Sequence, residues 1–238
     1  MKPASGVLTG LRYAFVALAV VLGVGLAASA SANQPTGAAG DTAGRIPVSA
    51  DVQASDTLTC TLNFADVPPT NEYHPYVMCL ACQGIISGYA CGGPTEPCNE
   101  NGDPYFRPDH PVTRGQIAKI LSISAGYNEP VPSTQETFAD VWYGSTFWEY
   151  VERLANRGIM EGFACGGETE PCDWLNRPYF RPHENTNRGQ LMKAVNKARR
   201  TTGAGGEIGD GEIRLDGLVT RAETSQVISQ AFFPDCNP

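Results

Sequence analysis

The chain has 238 residues, 42% of them hydrophobic and 9% aromatic, and its 25 acidic side chains outnumber 17 basic ones for a formal charge of −8. That much apolar side chain can build a real core, which excludes a chain disordered throughout. The acidic balance argues against nucleic acid as a partner, because phosphate binding draws on clustered Lys and Arg that displace counterions.

Lys2 and Arg12 precede an apolar stretch from Tyr13 to Leu26, and the run ends "AASASANQP", with small-residue cleavage sites after Ala30 or Ala32. Residues 1–32 therefore read as a secretory signal peptide. A retained membrane anchor is the other reading, since 13–32 is nearly long enough to span a bilayer. No later segment is apolar enough to do so, and the expected location is secreted, at the cell surface or envelope. Cleavage would take the charge to −10. Residues 33–58 are mostly Ala, Gly, Thr, Ser, Asp and Pro, too little apolar surface to offset the entropy of ordering them, and read as a flexible linker.

From Thr59 onward the chain repeats itself. Phe64–Leu121 aligns with Phe138–Val195 without a gap, 74 residues apart, and 28 of the 58 positions are identical. "FADV", "ACGG", "TEPC", "PYFRP" and "RGQ" all recur, so the duplication is internal. A partial third copy, "GDGEIRLDGLVTRAE", sets Ile213 and Arg214 against Phe106 and Arg107 and lacks the first half of the unit. The expected boundaries are 59–130, 131–203 and 204–238.

Within each full copy, Tyr73, Tyr76, Val77, Leu80 and Ala81, or Phe147, Tyr150, Val151, Leu154 and Ala155, fall at helical spacing. Gly84 and Gly158 stand where those helices stop. A second helix opens at Thr113, Asn187 or Thr220, with Gln116, Gln190 or Glu223 three residues on to complete a capping box. Its buried stripe is Ile117, Ile120 and Leu121, then Leu191, Ala194 and Val195, then Val227, Ile228 and Ala231. No convincing strand appears, so the fold is expected to be all-α, built of helix-loop-helix repeats.

At "FADV", "GIISG" and "VTRGQ" the chain resembles the S-layer homology family, over roughly Thr59 to Phe233. The resemblance implies three units around a pseudo-threefold helical core. It also implies non-covalent attachment to cell-wall glycan polymers, which in that family often carry pyruvyl ketals. Two departures stand out. Units one and two read R-G-Q where the family reads R-A-E, and unit three has no first helix.

Eight cysteines in an exported chain are an even set for pairing. Cys91 with Cys98, and Cys165 with Cys172, stand in identical long loops that need a fastener. Zinc would want two further ligands per loop, and neither loop has a histidine. Glu96, Asn99, Glu100 and Asp103 could suit calcium, but the second copy offers Glu168, Glu170 and Asp173 and replaces other oxygens with Trp174, Leu175 and Arg177, which does not preserve a ligand pattern. The expectation is therefore two disulfides and no metal. Cys79 and Cys82 align with Arg153 and Asn156, which places them on the solvent side of the first helix. Bridges from them to Cys60 and Cys236 would tie both chain ends there, and three connectivities stay open.

His74, His110 and His183 do not recur at the repeat offset, and no catalytic or cofactor motif appears. No enzyme and no cofactor are expected. Arg114, Arg188 and Arg221 each sit at the first helical position, where a cation is disfavoured by some tenths of a kcal/mol, roughly, so a use is implied. One reading is a salt bridge inside the fold to Asp66 or Asp140. The other is a fork that joins the helix amides in holding an anionic group of the glycan. Tyr105 and Tyr179 are candidate groove residues, whereas Phe106 and Phe180 read as core. Gly88 and Gly162 either keep a groove floor low or turn the chain. The expected partner is an anionic envelope glycan. The alternative is an assembly protein that binds other envelope proteins.

Overall fold

The computed structural model describes residues 60–205, 208–209 and 215–236. The signal segment 1–32, the linker 33–58 and the Ile213–Arg214 register of the third copy lie outside the described residues. The described chain is helical, with α1 (His74–Cys82), α2 (Arg114–Ser124), α3 (Trp148–Asn156), α4 (Arg188–Thr202), α5 (Arg221–Phe232) and a closing 3-10 turn (Pro234–Cys236). Among the described residues there are isolated β-bridges but no strand, and no helix is long and apolar enough to cross a membrane.

The short helices α1 and α3 end alike. Gly84 (φ 70°) and Gly158 (φ 63°) take the left-handed conformation, and the next amides, of Ile85 and Ile159, return to the Leu80 and Leu154 carbonyls at 2.9 Å. The longer helices α2, α4 and α5 all open with complete capping boxes at Thr113, Asn187 and Thr220. Each cap satisfies amides that would otherwise lack partners, worth about 1 kcal/mol per helix.

Packing follows the duplication. α1 lies against α5 and α3 against α2, while α4 meets α2 and α5 and has no short helix of its own, as a third copy without a first half requires. Where the three long helices begin, the chain closes a ring of backbone hydrogen bonds. The Val112 amide donates to Val219 (3.0 Å), Val219 to Thr186 (3.0 Å) and Thr186 back to Val112 (2.8 Å). All three residues are buried, but the Thr186 hydroxyl has no partner. An unpaired buried hydroxyl costs about 1 to 3 kcal/mol. Thr186→Val, which copies the other two positions, should therefore stabilise the domain and raise Tm by a few degrees in calorimetry.

The first-turn amides dock each long helix onto the next loop. Arg114 and Gly115 donate to Glu184 and Pro182, Arg188 and Gly189 to Gly217 and Leu215, and Arg221 and Ala222 to His110 and Pro108, at 2.8 to 3.0 Å. The R-G-Q departure has a steric cause in the first copy. A Cβ on Gly115 would lie 2.4 Å from the Phe147 ring. Gly189 meets nothing closer than 3.4 Å, so the same glycine is not forced in the second copy.

Four disulfides form, Cys91–Cys98, Cys165–Cys172, Cys60–Cys82 and Cys79–Cys236. Both α1 cysteines bridge to the chain ends, and the two are covered to different degrees. Cys82 is exposed, but Cys79 is only 8% exposed, bonded to the closing turn that packs on α1.

Candidate ligand-binding grooves

The duplicated loops are held by aspartates. Asp66 accepts from the amides of Phe106 (2.7 Å) and Arg107 (2.6 Å), and Asp140 from those of Phe180 (2.7 Å) and Arg181 (2.6 Å). These contacts hold Arg107 (φ 60°) and Arg181 (φ 59°) in a left-handed conformation that non-glycine residues seldom take. The same two arginines fork onto Glu96 and Glu170 at 2.6 to 2.8 Å. Those guanidinium hydrogen bonds hold both carboxyls below the usual carboxylate range. The loop oxygens weighed for calcium are thus largely engaged, with Asn99 and Asp103 bonded to each other and Asp173 to Arg177.

Asp66 and Asp140 are therefore not the partners of the helix-start arginines, and that expectation is corrected. Arg114, 5% exposed, donates from Nε to the Phe180 carbonyl (2.7 Å) and from Nη2 to that of Glu161 (2.9 Å). Arg221 does the same to Phe106 (2.7 Å) and Ser87 (2.8 Å). Burial pushes both guanidinium pKa values down, although neither group approaches neutrality at physiological pH. Arg188 differs, because it pairs with Glu223. The helix amides do not join in holding an anion, since loop carbonyls occupy them.

Each forked arginine closes one end of a groove of about 200 Å³. In one groove Arg221 meets Gly88, Tyr89, Gln116 and Lys119. In the other Arg114 meets Gly162, Phe163, Gln190, Lys193 and Lys197. Nη1 of both arginines has no partner among the described residues and is not sealed from solvent. The guanidiniums also lie over groove aromatics, Arg221 over Tyr89 (5.2 Å) and Arg114 over Phe163 (4.9 Å).

A third cavity, about 170 Å³, repeats the layout with Arg188, Glu223, Gln226 and Val227. Its chemistry is altered. Glu223 stands where the others have Gln116 and Gln190, Gln226 where they have Lys119 and Lys193, and the arginine is neutralised by Glu223.

Gly88 and Gly162 line the two cationic grooves without left-handed backbones. A Cβ there would come within 2.7 Å of Phe64 or Phe138 and 2.9 Å of the Tyr105 or Tyr179 carbonyl, so close packing is what requires glycine. Tyr105 and Tyr179 line neither groove. Their hydroxyls donate to the Pro97 and Pro171 carbonyls at 3.0 Å and brace the stapled loops. Lys119, Lys193 and the ring pair Tyr89 and Phe163 went unnoticed in the sequence. The signal was available, because Lys119 and Lys193 occupy one repeat position, five residues beyond the arginine.

No match is found among curated proteins. Residues 138–192, which run from the second "FADV" into α4, match the S-layer homology domain family. A domain of that kind is in general a cell-surface module that binds cell-wall polymers. The match is to the second copy, and of the groove residues it includes Gly162, Phe163 and Gln190 but not Arg114 or Lys193.

Proposed function

We propose that this is an exported envelope-attachment module, not an enzyme, that holds an anionic wall or surface polysaccharide in two grooves. The observation that carries the reading is a repeated cationic constellation on a chain of charge −8. Each groove sets an arginine with one free Nη1 beside a lysine on the neighbouring helix, Arg221 with Lys119 and Arg114 with Lys193. A carboxylate or ketal acid of the glycan would take charge-assisted hydrogen bonds from both. The closed backbone ring of Val112, Thr186 and Val219 supports three units about a pseudo-threefold axis, with the third site disarmed by Glu223. Two grooves on one module would engage one polymer together, which raises avidity without new contacts.

Lys119 and Lys193 are exposed and suit a test that spares the fold. Lys193→Ala should weaken binding to purified envelope polysaccharide about tenfold, from losing one hydrogen bond between charged groups, with Tm unchanged. The Lys119→Ala, Lys193→Ala double variant should lose more. A double variant that binds like the parent would end the glycan reading.

A second reading, assembly with another envelope protein, is favoured by the tip of the second stapled loop. There Trp174 is 86% exposed and Leu175 half exposed, on a turn fixed by Asp173. A stable oligomer or hetero-complex by light scattering in the absence of glycan would support it.

A further inference from the structure

One cavity is lined entirely by residues of the second copy. It measures about 620 Å³, within the range of small-ligand sites, and its walls include Trp142, Phe147, His183, Ser145 and Thr146. The first copy has Pro68, Tyr73 and Asp109 where the second has Trp142, Phe147 and His183, so two rings are new at this place. Trp142 is 63% exposed, which is unusual for so large an apolar ring and leaves its face open to a ligand. Its indole N–H, the Ser145 and Thr146 hydroxyls and the His183 imidazole form no hydrogen bond within the described chain.

The charged groups of the wall are engaged already. Asp140 holds the amides of Phe180 and Arg181, and Arg181 is tied to Glu170 and, at 3.5 Å, to Glu184. The cavity therefore offers an aromatic face and neutral hydrogen-bonding groups in place of a free ion pair. Phe147 connects it to the rest of the molecule, since the same ring lines the groove of Arg221 and Lys119. Tyr150, within one turn of Phe147 on α3, carries the Lys119 ammonium 5.8 Å above its ring.

We propose that this cavity is a subsite for an uncharged pyranose unit, stacked on Trp142, of the same polymer whose anionic unit lies in the Arg221–Lys119 groove. The inference rests on the glycan reading above and adds a second, aromatic contact to it. The apolar C–H face of a pyranose would cover the indole, and its hydroxyls would meet Ser145, Thr146 and His183. Phe147 would separate two consecutive sugars.

The test uses the mature protein and short oligomers from size-fractionated, enzymatically released envelope polysaccharide, with binding read by calorimetry and by tryptophan emission. Trp142→Ala should bind the oligomers about tenfold more weakly than the parent at unchanged Tm, because Trp142 is exposed. Trp142→Phe should recover part of the loss, and the emission shift of the parent on binding should be absent from both variants. If Lys119→Ala weakens binding and Trp142→Ala does not, the subsite is overturned while the groove reading stands. If the parent binds no oligomer at all, the glycan reading fails and the subsite with it.

Discussion

A chain cut after Gly209 should give no cooperative melt near the parent's Tm. The cut removes α5, whose Ile228 and Ala231 are buried in the common core and which covers α1. It also removes Val219, which breaks the central ring and leaves the Thr186 carbonyl without its donor. A fully buried large aliphatic side chain is worth about 1.5 to 3 kcal/mol. The Cys79–Cys236 disulfide goes too, and closing a loop of 157 residues is worth about 4 to 5 kcal/mol on the chain-entropy account. Together these losses rival the roughly 5 to 15 kcal/mol that hold a whole domain. Calorimetry of the truncated chain checks this, and a transition within a few degrees of the parent's would show that the third copy is an appendage.

The same removal shows why the partial copy persists at all. Its first helix can be missing because nothing in the ring depends on that element, whereas the ring does depend on Val219 and on the docking of Arg221 against the first copy. On the glycan reading, Glu223 and Gln226, which stand where the other copies have glutamine and lysine, mark the third copy as structural.

Periodicity and capping chemistry made the helices legible before any coordinates, because a capping box is a local device that needs only four residues. The loops were legible as stapled, since a short-range cysteine pair is also local. What the sequence concealed was the destination of the long side chains. Arg114 bonds to carbonyls in the second copy and Arg221 to carbonyls in the first, across separations of 66 and 115 residues, and backbone acceptors leave no trace in residue identity. Carboxylates are visible in a sequence and carbonyls are not, which is why Asp66 and Asp140 looked like partners. Their true work, holding Arg107 and Arg181 in a left-handed conformation, was hinted at only by the joint recurrence of "FADV" and "FRP". Trp142 and Trp148 illustrate the same limit from the apolar side. Trp148 is buried with its indole N–H on the Gln135 carbonyl at 2.8 Å, while Trp142 lies open, and composition alone does not separate them.

Arg114→Ala should lower both stability and binding, and the two losses can be separated. Truncation strips the Phe180 and Glu161 carbonyls of charge-assisted donors, each worth about 1.5 to 3 kcal/mol, so a total of about 3 kcal/mol or more is expected. For a domain of this size that corresponds to roughly 10 °C in Tm. Arg114→Lys should recover little of it, because one ammonium on a flexible stem does not reproduce a planar fork that spans two carbonyls. Arg188→Ala is the control within the molecule. Its partner Glu223 is mostly buried, with its side chain 19% exposed, but keeps the capping hydrogen bond from the Thr220 amide when the arginine is removed, so Tm should fall by less than in Arg114→Ala. Binding divides the positions differently. Below the melting range, Arg114→Ala should bind envelope polysaccharide more weakly than the parent by about as much as Lys193→Ala does, since both remove a donor from one groove. Arg188→Ala should bind as the parent does, because Glu223 already neutralises that site. An Arg188 variant that lost binding while Arg114→Ala kept it would place the ligand at the third site and reverse the assignment of the grooves.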